Sequence, residues 1–559
     1  MPCATSAGGI LRGGAAPVVR SGGFSTEETD VKRAAEAFLV AILLAAAAAA
    51  QEKPASDSPK KEPSRGEPTR GETSREETPK RTPTEPPKTE QSVTSHSIVV
   101  GGAPVAYTAT AGTFVVRNEK EEPVANVSYT AYVRRGGDPS ARPITFAYNG
   151  GPGSSSVWLH MGALGPRRVV VTDAGFTPPP PYRVVDNAES IIDRTDLVMI
   201  DPVGTGLSRA AGEAKDKDFW GTDPDIESIS NFIRQWVSEN GRWNSPKYLL
   251  GESYGTTRSA GIVDRLQSQG MAFNGVILVS VALDLEAIFN SPGNDRPYPL
   301  FLPTYAAVAW YHKTIPNRSE KLEPFLDEVR AWATGPYATA LMKGDAIGDA
   351  EREAVARKLH EYTGLSEEYV RRSNLRIDEA AFTQELLRDR GETVGRLDAR
   401  YTGPTLDAIG RDAEYDPQSA AISAAYTSAF LDYYQRDLGF GKGKTYIVTN
   451  YGLFPQWDFK HKAPGARFPS PFTNTGLDLA HALTVNPNLR ILVLNGYYDL
   501  ATPFLATEEM MSHLLLAKDL RPHVEMKYYA AGHMMYVNED ALKAMKADVA
   551  AFMDKTRGR

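Results

Sequence analysis

Ser253 sits between two glycines in Gly251-Glu252-Ser253-Tyr254-Gly255, after the apolar run YLL and before a helix-like stretch, TTRSAGIVDRL. A serine on so sharp a strand-to-helix turn has its hydroxyl lifted clear of the backbone, and the helix N-terminus beneath it favours developing negative charge. The chemistry this suits is nucleophilic attack, which needs a base and an acid to orient that base. Two residues downstream fit those roles. Asp499 follows the apolar strand pattern Ile491 to Leu494, and His533 follows a strand pattern that ends in AAGH. Each lies just past the carboxyl end of a strand, where open α/β sheets place their chemistry. Asp284, after NGVILVSVALD, is a competing acid one strand earlier. His513 and His523 fit less well, since one falls on a helical run and the other precedes its strand.

The chain order serine, acid, histidine is that of α/β-hydrolases. A glycine-rich segment also stands where that fold needs one. The strand pattern Ile144 to Tyr148 ends in Asn149-Gly150-Gly151-Pro152-Gly153. Glycines there let backbone N–H groups approach a ligand closely and point at an oxyanion, with the amide of Tyr254 as the other donor. No G-x-x-x-x-G-K-[ST] pattern is present, which sets aside a phosphate-binding reading.

The elements that must hold these residues are legible in outline. SHSIVV, TFVVRN and VSYTAYVRR alternate as antiparallel strands do. ITFAYN, DLVMID, KYLLGE, GVILVS, RILVLN and VEMKYY read as buried parallel strands, with helical patterns between several of them. In one such helix, Ile226, Ile229, Ile233 and Trp236 recur on one face. The expected fold is therefore an α/β-hydrolase, a mostly parallel sheet flanked by helices, over residues 94–559. An insertion of about residues 285–485, largely helical in pattern, would cap the carboxyl ends of the strands. Its aromatic run YPLFLPTYAAVAWYH suits either pocket lining or core packing.

NGGPGSSS, IDPVGTGLS, GESYG, the aspartate of NGYYD, and AGH, in that order, resemble the serine carboxypeptidase family. The resemblance implies a Ser253–Asp499–His533 triad and oxyanion donors at Gly151 and Tyr254. It also implies that Asn149 and Glu252 recognise the substrate's terminal carboxylate. In the family a second glutamate shares a proton with the GESYG glutamate; here that position is Ala163. Glu252 should then titrate as a single buried carboxyl, and Arg258 is a further candidate for the carboxylate, with structural ion pairing as its other role. The family's disulfides are also missing, because Cys3 is the only cysteine.

Composition narrows the function classes. The 559 residues carry a formal net charge of −7, which argues against nucleic acid as an obligate partner. There is no H-E-x-x-H and no cysteine pair, so no metal is expected, and the chemistry proposed needs no cofactor. Residues 1–50 read as an export segment. Within it, the apolar run 34–50 follows Lys32 and Arg33 and ends in alanines, as a cleaved signal peptide does. Initiation near Val31 would explain the residues ahead of that run, and an uncleaved anchor is the alternative to cleavage. Residues 51–93, rich in Glu, Lys, Arg, Pro, Ser and Thr, cannot bury a core and read as a disordered tether. The expected enzyme is an exported, periplasmic or extracellular serine carboxypeptidase acting on peptides. The alternative is an esterase, amidase or acyltransferase of the same fold with no strict need for a free C-terminus.

Overall fold

The computed structural model describes residues 88–316 and 319–558. The stretch read as an export segment, and nearly all of that read as a charged tether, lie outside the described residues. Strand β1 (Glu90–Val100) begins inside the stretch read as tether, so ordered structure opens before residue 94. It pairs antiparallel with β2 (Ala103–Arg117), which pairs antiparallel with β3 (Pro123–Arg134). The strands read as parallel follow as β4 (Ile144–Tyr148), β5 (Asp196–Ile200), β6 (Lys247–Ser253), β7 (Gly275–Val281), β8 (Arg490–Gly496) and β9 (Val524–Tyr529).

Their spatial order is β1-β2-β3-β5-β4-β6-β7-β8-β9, with a short strand, Arg209–Ala210, added beside β3. From β5 to β9 every pairing is parallel. The reversal of β5 and β4 opens the crevice that an α/β sheet uses for ligands. This is the α/β-hydrolase fold.

The strand period of two divides the core between the faces of the sheet. Phe146, Leu249 and Val276 pack into one apolar cluster with Ile229, Ile233 and Trp236 of α1 (Thr222–Glu239). Their neighbours Ala147, Leu250 and Ile277 pack into the other, with Met545, Val549 and Phe552 of the C-terminal helix Glu539–Thr556. Both faces are covered, which is why these strands read as near-continuous apolar runs.

The insertion is helical where its patterns predicted: Leu322–Trp332, Asp349–Thr363, Glu379–Glu385 and Pro417–Arg436. Its aromatic run forms helix Pro297–His312, and here packing wins over pocket lining. Tyr305 is buried and stacks on Phe382 with ring centroids 4.1 Å apart. Among the described residues no helix is long and apolar enough to cross a membrane.

Candidate active site

Ser253 ends β6 and precedes α2 (Tyr254–Ser268), with φ 60° and ψ −130°. A non-glycine residue there carries strain of about 1–3 kcal/mol, held by its surroundings. Those surroundings need glycine on both flanks of the turn. A Cβ on Gly251 would strike the Gly255 backbone and come within 2.6 Å of Ser259 Oγ. A Cβ on Gly255 would lie 2.9 Å from the Tyr148 carbonyl.

The candidate base and the candidate acid lie side by side. His533 Nδ1 and Asp499 Oδ2 are 2.8 Å apart, both buried. Asp499 is held in turn by the backbone N–H groups of Ala501 (2.8 Å) and Thr502 (3.0 Å) and by the Thr502 hydroxyl (2.7 Å). That shell fixes the carboxylate and so the ring it orients. Asp284, the competing acid, instead pairs with Arg296 at 2.6 Å and caps a short 3₁₀ turn. His513 is exposed at the end of helix Phe504–Ser512, and His523 lies in a 3₁₀ turn before β9. Sheet register brings the histidine to the serine's side. Ser253 pairs with Val281 of β7, and the Ser280 hydroxyl donates to the His533 carbonyl at 2.7 Å. Burial lowers the His533 pKa, but the Asp499 charge and hydrogen bond, with the Glu252 charge, outweigh it and the net shift is upward.

The glycine-rich loop lies directly against the elbow. A Cβ on Gly150 would run into the Tyr254 backbone nitrogen and reach within 2.6 Å of Gly255 N and 2.7 Å of the Glu252 carbonyl. Gly151 follows with φ 106°, a region side-chain-bearing residues rarely enter. The loop is anchored from below by Asp201 of IDPVGTGLS, whose Oδ1 accepts from Ser156 N at 2.9 Å. Asp201 also accepts from the hydroxyls of Ser128 and Tyr446, both at 2.8 Å.

Asn149 and Glu252 are both buried, and Asn149 Nδ2 donates to Glu252 Oε1 at 2.8 Å. Burial raises the Glu252 pKa to about 7, against the nearby His533 and the contacts of Tyr536 and Asn149, which lower it. No second carboxyl is hydrogen-bonded to Glu252 among the described residues. Ala163 lies in a π-helical turn, His160–Leu164, and its carbonyl accepts from Asn187.

Arg258 takes the structural one of its two expected roles. Its side chain, 1% exposed, runs beneath the elbow and pairs with Asp225 of α1 at 2.8 Å. It also donates to the Asn149 carbonyl at 2.8 Å and lies over the rings of Tyr148 and Tyr254. These partners commit the guanidinium to structure rather than to a substrate carboxylate. Asp225→Ala would strand a buried cation, a loss of about 3–5 kcal/mol. The expected result is a clearly lowered thermal midpoint, with Asp225→Glu recovering part of it.

Two contributions from the insertion escaped sequence reasoning. The first is the loop between the short strands Glu392–Val394 and Thr402–Pro404. Its Leu397 carbonyl accepts from His533 N at 2.6 Å, and its Arg396 carbonyl accepts from Leu500 N at 3.0 Å. Asp398 accepts from Gly532 N at 3.1 Å and is itself paired with Arg400 at 2.6 Å. One loop therefore ties the histidine segment to the acid segment. The second is His461, held between Asp223 of α1 at 2.6 Å and Asp478 of helix Gly476–Val485 at 2.8 Å. Nearby, Trp457 packs edge-on against Tyr254 with centroids 5.3 Å apart. Burial lowers the His461 pKa, but the two carboxylates outweigh it and raise it from 6.5 to about 9. A raised pKa means its stabilisation is fully present below about pH 6.5 and is lost as pH rises through about 9. Thermal midpoints should therefore fall across that window, and His461→Ala should flatten the fall.

Fold and site together define a serine hydrolase. Residues 116–321 match the model of the serine carboxypeptidase family. The match takes in the glycine-rich loop, Asp201 and the elbow; Asp499 and His533 lie beyond it. No curated protein matches the chain. Similar solved structures include a proline iminopeptidase of Mycobacterium smegmatis at 14% identity, covering 83% of this chain and 99% of that one, with a TM-score of 0.33. Juvenile hormone epoxide hydrolase of the silkworm Bombyx mori is similar at 13% identity, over 81% and 79% of the chains, with a TM-score of 0.33. An esterase of Pyrococcus furiosus is similar at 9% identity, over 80% and 91%, with a TM-score of 0.30.

Proposed function

We propose that this chain is an exported carboxypeptidase that removes residues from the C-terminus of peptides through an acyl-enzyme on Ser253. The observation that carries the reading is the buried Asn149–Glu252 hydrogen bond, placed immediately before the nucleophile and within electrostatic reach of His533. A polar pair at that point recognises a charged end of the substrate rather than its middle. His533 takes the Ser253 proton as the hydroxyl attacks the scissile carbonyl, and Asp499 stabilises the imidazolium that forms. The N–H groups of Gly151 and Tyr254 receive the oxyanion. His533 then protonates the leaving amine, and water repeats the sequence to release the acyl group. Neither metal nor cofactor enters these steps.

Sequential loss of C-terminal residues from free-acid peptides, read by mass spectrometry and blocked by C-terminal amidation, is the expected result. Equal cleavage of free and amidated peptides would replace this reading with its alternative, a serine hydrolase or acyltransferase acting on esters and amides. The alanine at position 163 favours that alternative, since it removes a carboxyl that the resemblance places beside Glu252. Export rests on the basic-apolar-alanine succession of residues 32–50. The mature chain from native cells should begin near Gln51, outside the inner membrane; retention of residues 34–50 would point to an anchor instead.

A further inference from the structure

The space around Glu252 is closed by two tyrosines that come from distant parts of the chain. Tyr536 lies in the 3₁₀ turn Met535–Val537, immediately after the His533 loop. Tyr426 comes from helix Pro417–Arg436 of the insertion. Both are buried, and both meet the π-helical turn that carries Ala163. A Cβ on Gly162 would lie 2.5 Å from Tyr536 Cε2 and 2.6 Å from the Tyr426 hydroxyl. Glycine at 162 is thus what admits both rings to this place.

The polar atoms here are only half matched. Glu252 Oε1 takes the Asn149 hydrogen bond. Glu252 Oε2 and the Tyr536 hydroxyl are both buried and face one another; neither completes a hydrogen bond of full geometry, yet they lie near enough for a loose O–H···O contact that shifts the titration of both. A buried donor and acceptor matched only loosely are costly, so such pairs are few in a settled core. One such pair, next to the nucleophile and the base, fits a place built to bind something polar. A carboxylate suits it, having two acceptor oxygens for two convergent O–H donors.

We propose that the Tyr536 hydroxyl, acting with protonated Glu252, grips the free α-carboxylate of the peptide substrate and takes the place of the carboxyl missing at position 163. The inference rests on the carboxypeptidase reading above and names a residue that reading does not use. Burial, with the Glu252 charge beside it, holds the Tyr536 phenol well above its ordinary pKa, so it stays a donor wherever the enzyme works. The division of labour is then between one titrating donor, Glu252, and one that does not titrate.

Tyr536→Phe removes a single oxygen and keeps the ring that packs on Gly162. The test measures binding of N-acetylphenylalanine and of its C-terminal amide to full-length Ser253→Ala protein by calorimetry, with and without Tyr536→Phe. Losing a hydrogen bond to a charged group should weaken the carboxylate ligand about tenfold and so lower the acid-to-amide preference by about that factor. Because both ligands are measured on one preparation, a partly unfolded variant leaves the ratio unmoved. A preference for the acid that survives Tyr536→Phe overturns the role of Tyr536 and leaves the carboxypeptidase reading standing. Equal affinity for acid and amide before that substitution is made overturns both.

Discussion

Replacing His533 with alanine should lower peptide and ester hydrolysis by a factor of about 10⁴ or more, and Ser253→Ala should do the same. The two losses should not multiply in the double variant, because the residues act as a unit. Ser253→Ala should also stop labelling by a fluorophosphonate probe while leaving the melting temperature close to that of the parent. Persistent labelling would move the nucleophile elsewhere. The pH dependence follows from the charges around the ring. His533 accepts a proton from Ser253 only when neutral, and its pKa is raised above 6.5 once the Asp499 and Glu252 charges outweigh burial. Ester hydrolysis should therefore fall as pH drops through that raised value. Asp499→Asn removes the strongest raising influence, so the residual activity should keep its plateau to lower pH. Free-acid peptides should show a second limb. Glu252 loses its proton near pH 7, and an ionised Glu252 repels the carboxylate it would otherwise bind. A bell for free acids beside a single limb for esters separates the two groups. Two identical profiles would remove Glu252 from carboxylate recognition.

What could be read from the chain divides along physical lines. The inner parallel strands announce themselves because each is covered on both faces and so is largely apolar, as in ITFAY and GVILVSV. Ser253 and its glycines are equally legible, since the turn constrains three neighbouring residues at once. Asp499 and His533 follow from chain order and from their places after β8 and β9. Other features have no local signature. Tyr536 and Tyr426 look like ordinary aromatic positions until the fold carries both to Gly162. Arg258 has a sequence position that suits a substrate contact, and only its pairing with Asp225 of α1 shows where the charge goes. Leu397 accepts the His533 N–H through a backbone carbonyl, for which any residue type serves, so no residue pattern marks it. The boundary of the tether was misplaced for a related reason. The first residues of β1, Glu90 to Ser92, lie on a sheet edge and are polar, so their composition continues that of the charged, Pro-rich stretch before them.

Gly150→Ala should be nearly as damaging as loss of an oxyanion donor, although it deletes no reacting group. The added methyl carbon would meet three backbone atoms at once: the amide nitrogens of Tyr254 and Gly255 and the carbonyl of Glu252. None of these is the end of a flexible side chain, so the loop and the elbow must part. The loop resists from its other side. Asp201 is buried and holds Ser156 N, and the Asn149 carbonyl accepts from the buried Arg258. Displacement therefore falls on the segment between those anchors, which is Gly150 to Ser155 and includes the Gly151 amide. Moving one donor out of line with the developing oxyanion costs about 10²–10³ in kcat. Substrate binding should change less, because the Glu252 carboxyl is held by Asn149 on the anchored side of the loop and Tyr536 comes from a turn that the methyl group does not touch. The expected signature is thus a large fall in kcat with a small change in KM, and a slower but complete reaction of Ser253 with a fluorophosphonate. Reaction with the probe at the parent rate, together with unchanged kcat, would show that the Gly151 amide does not face the oxyanion.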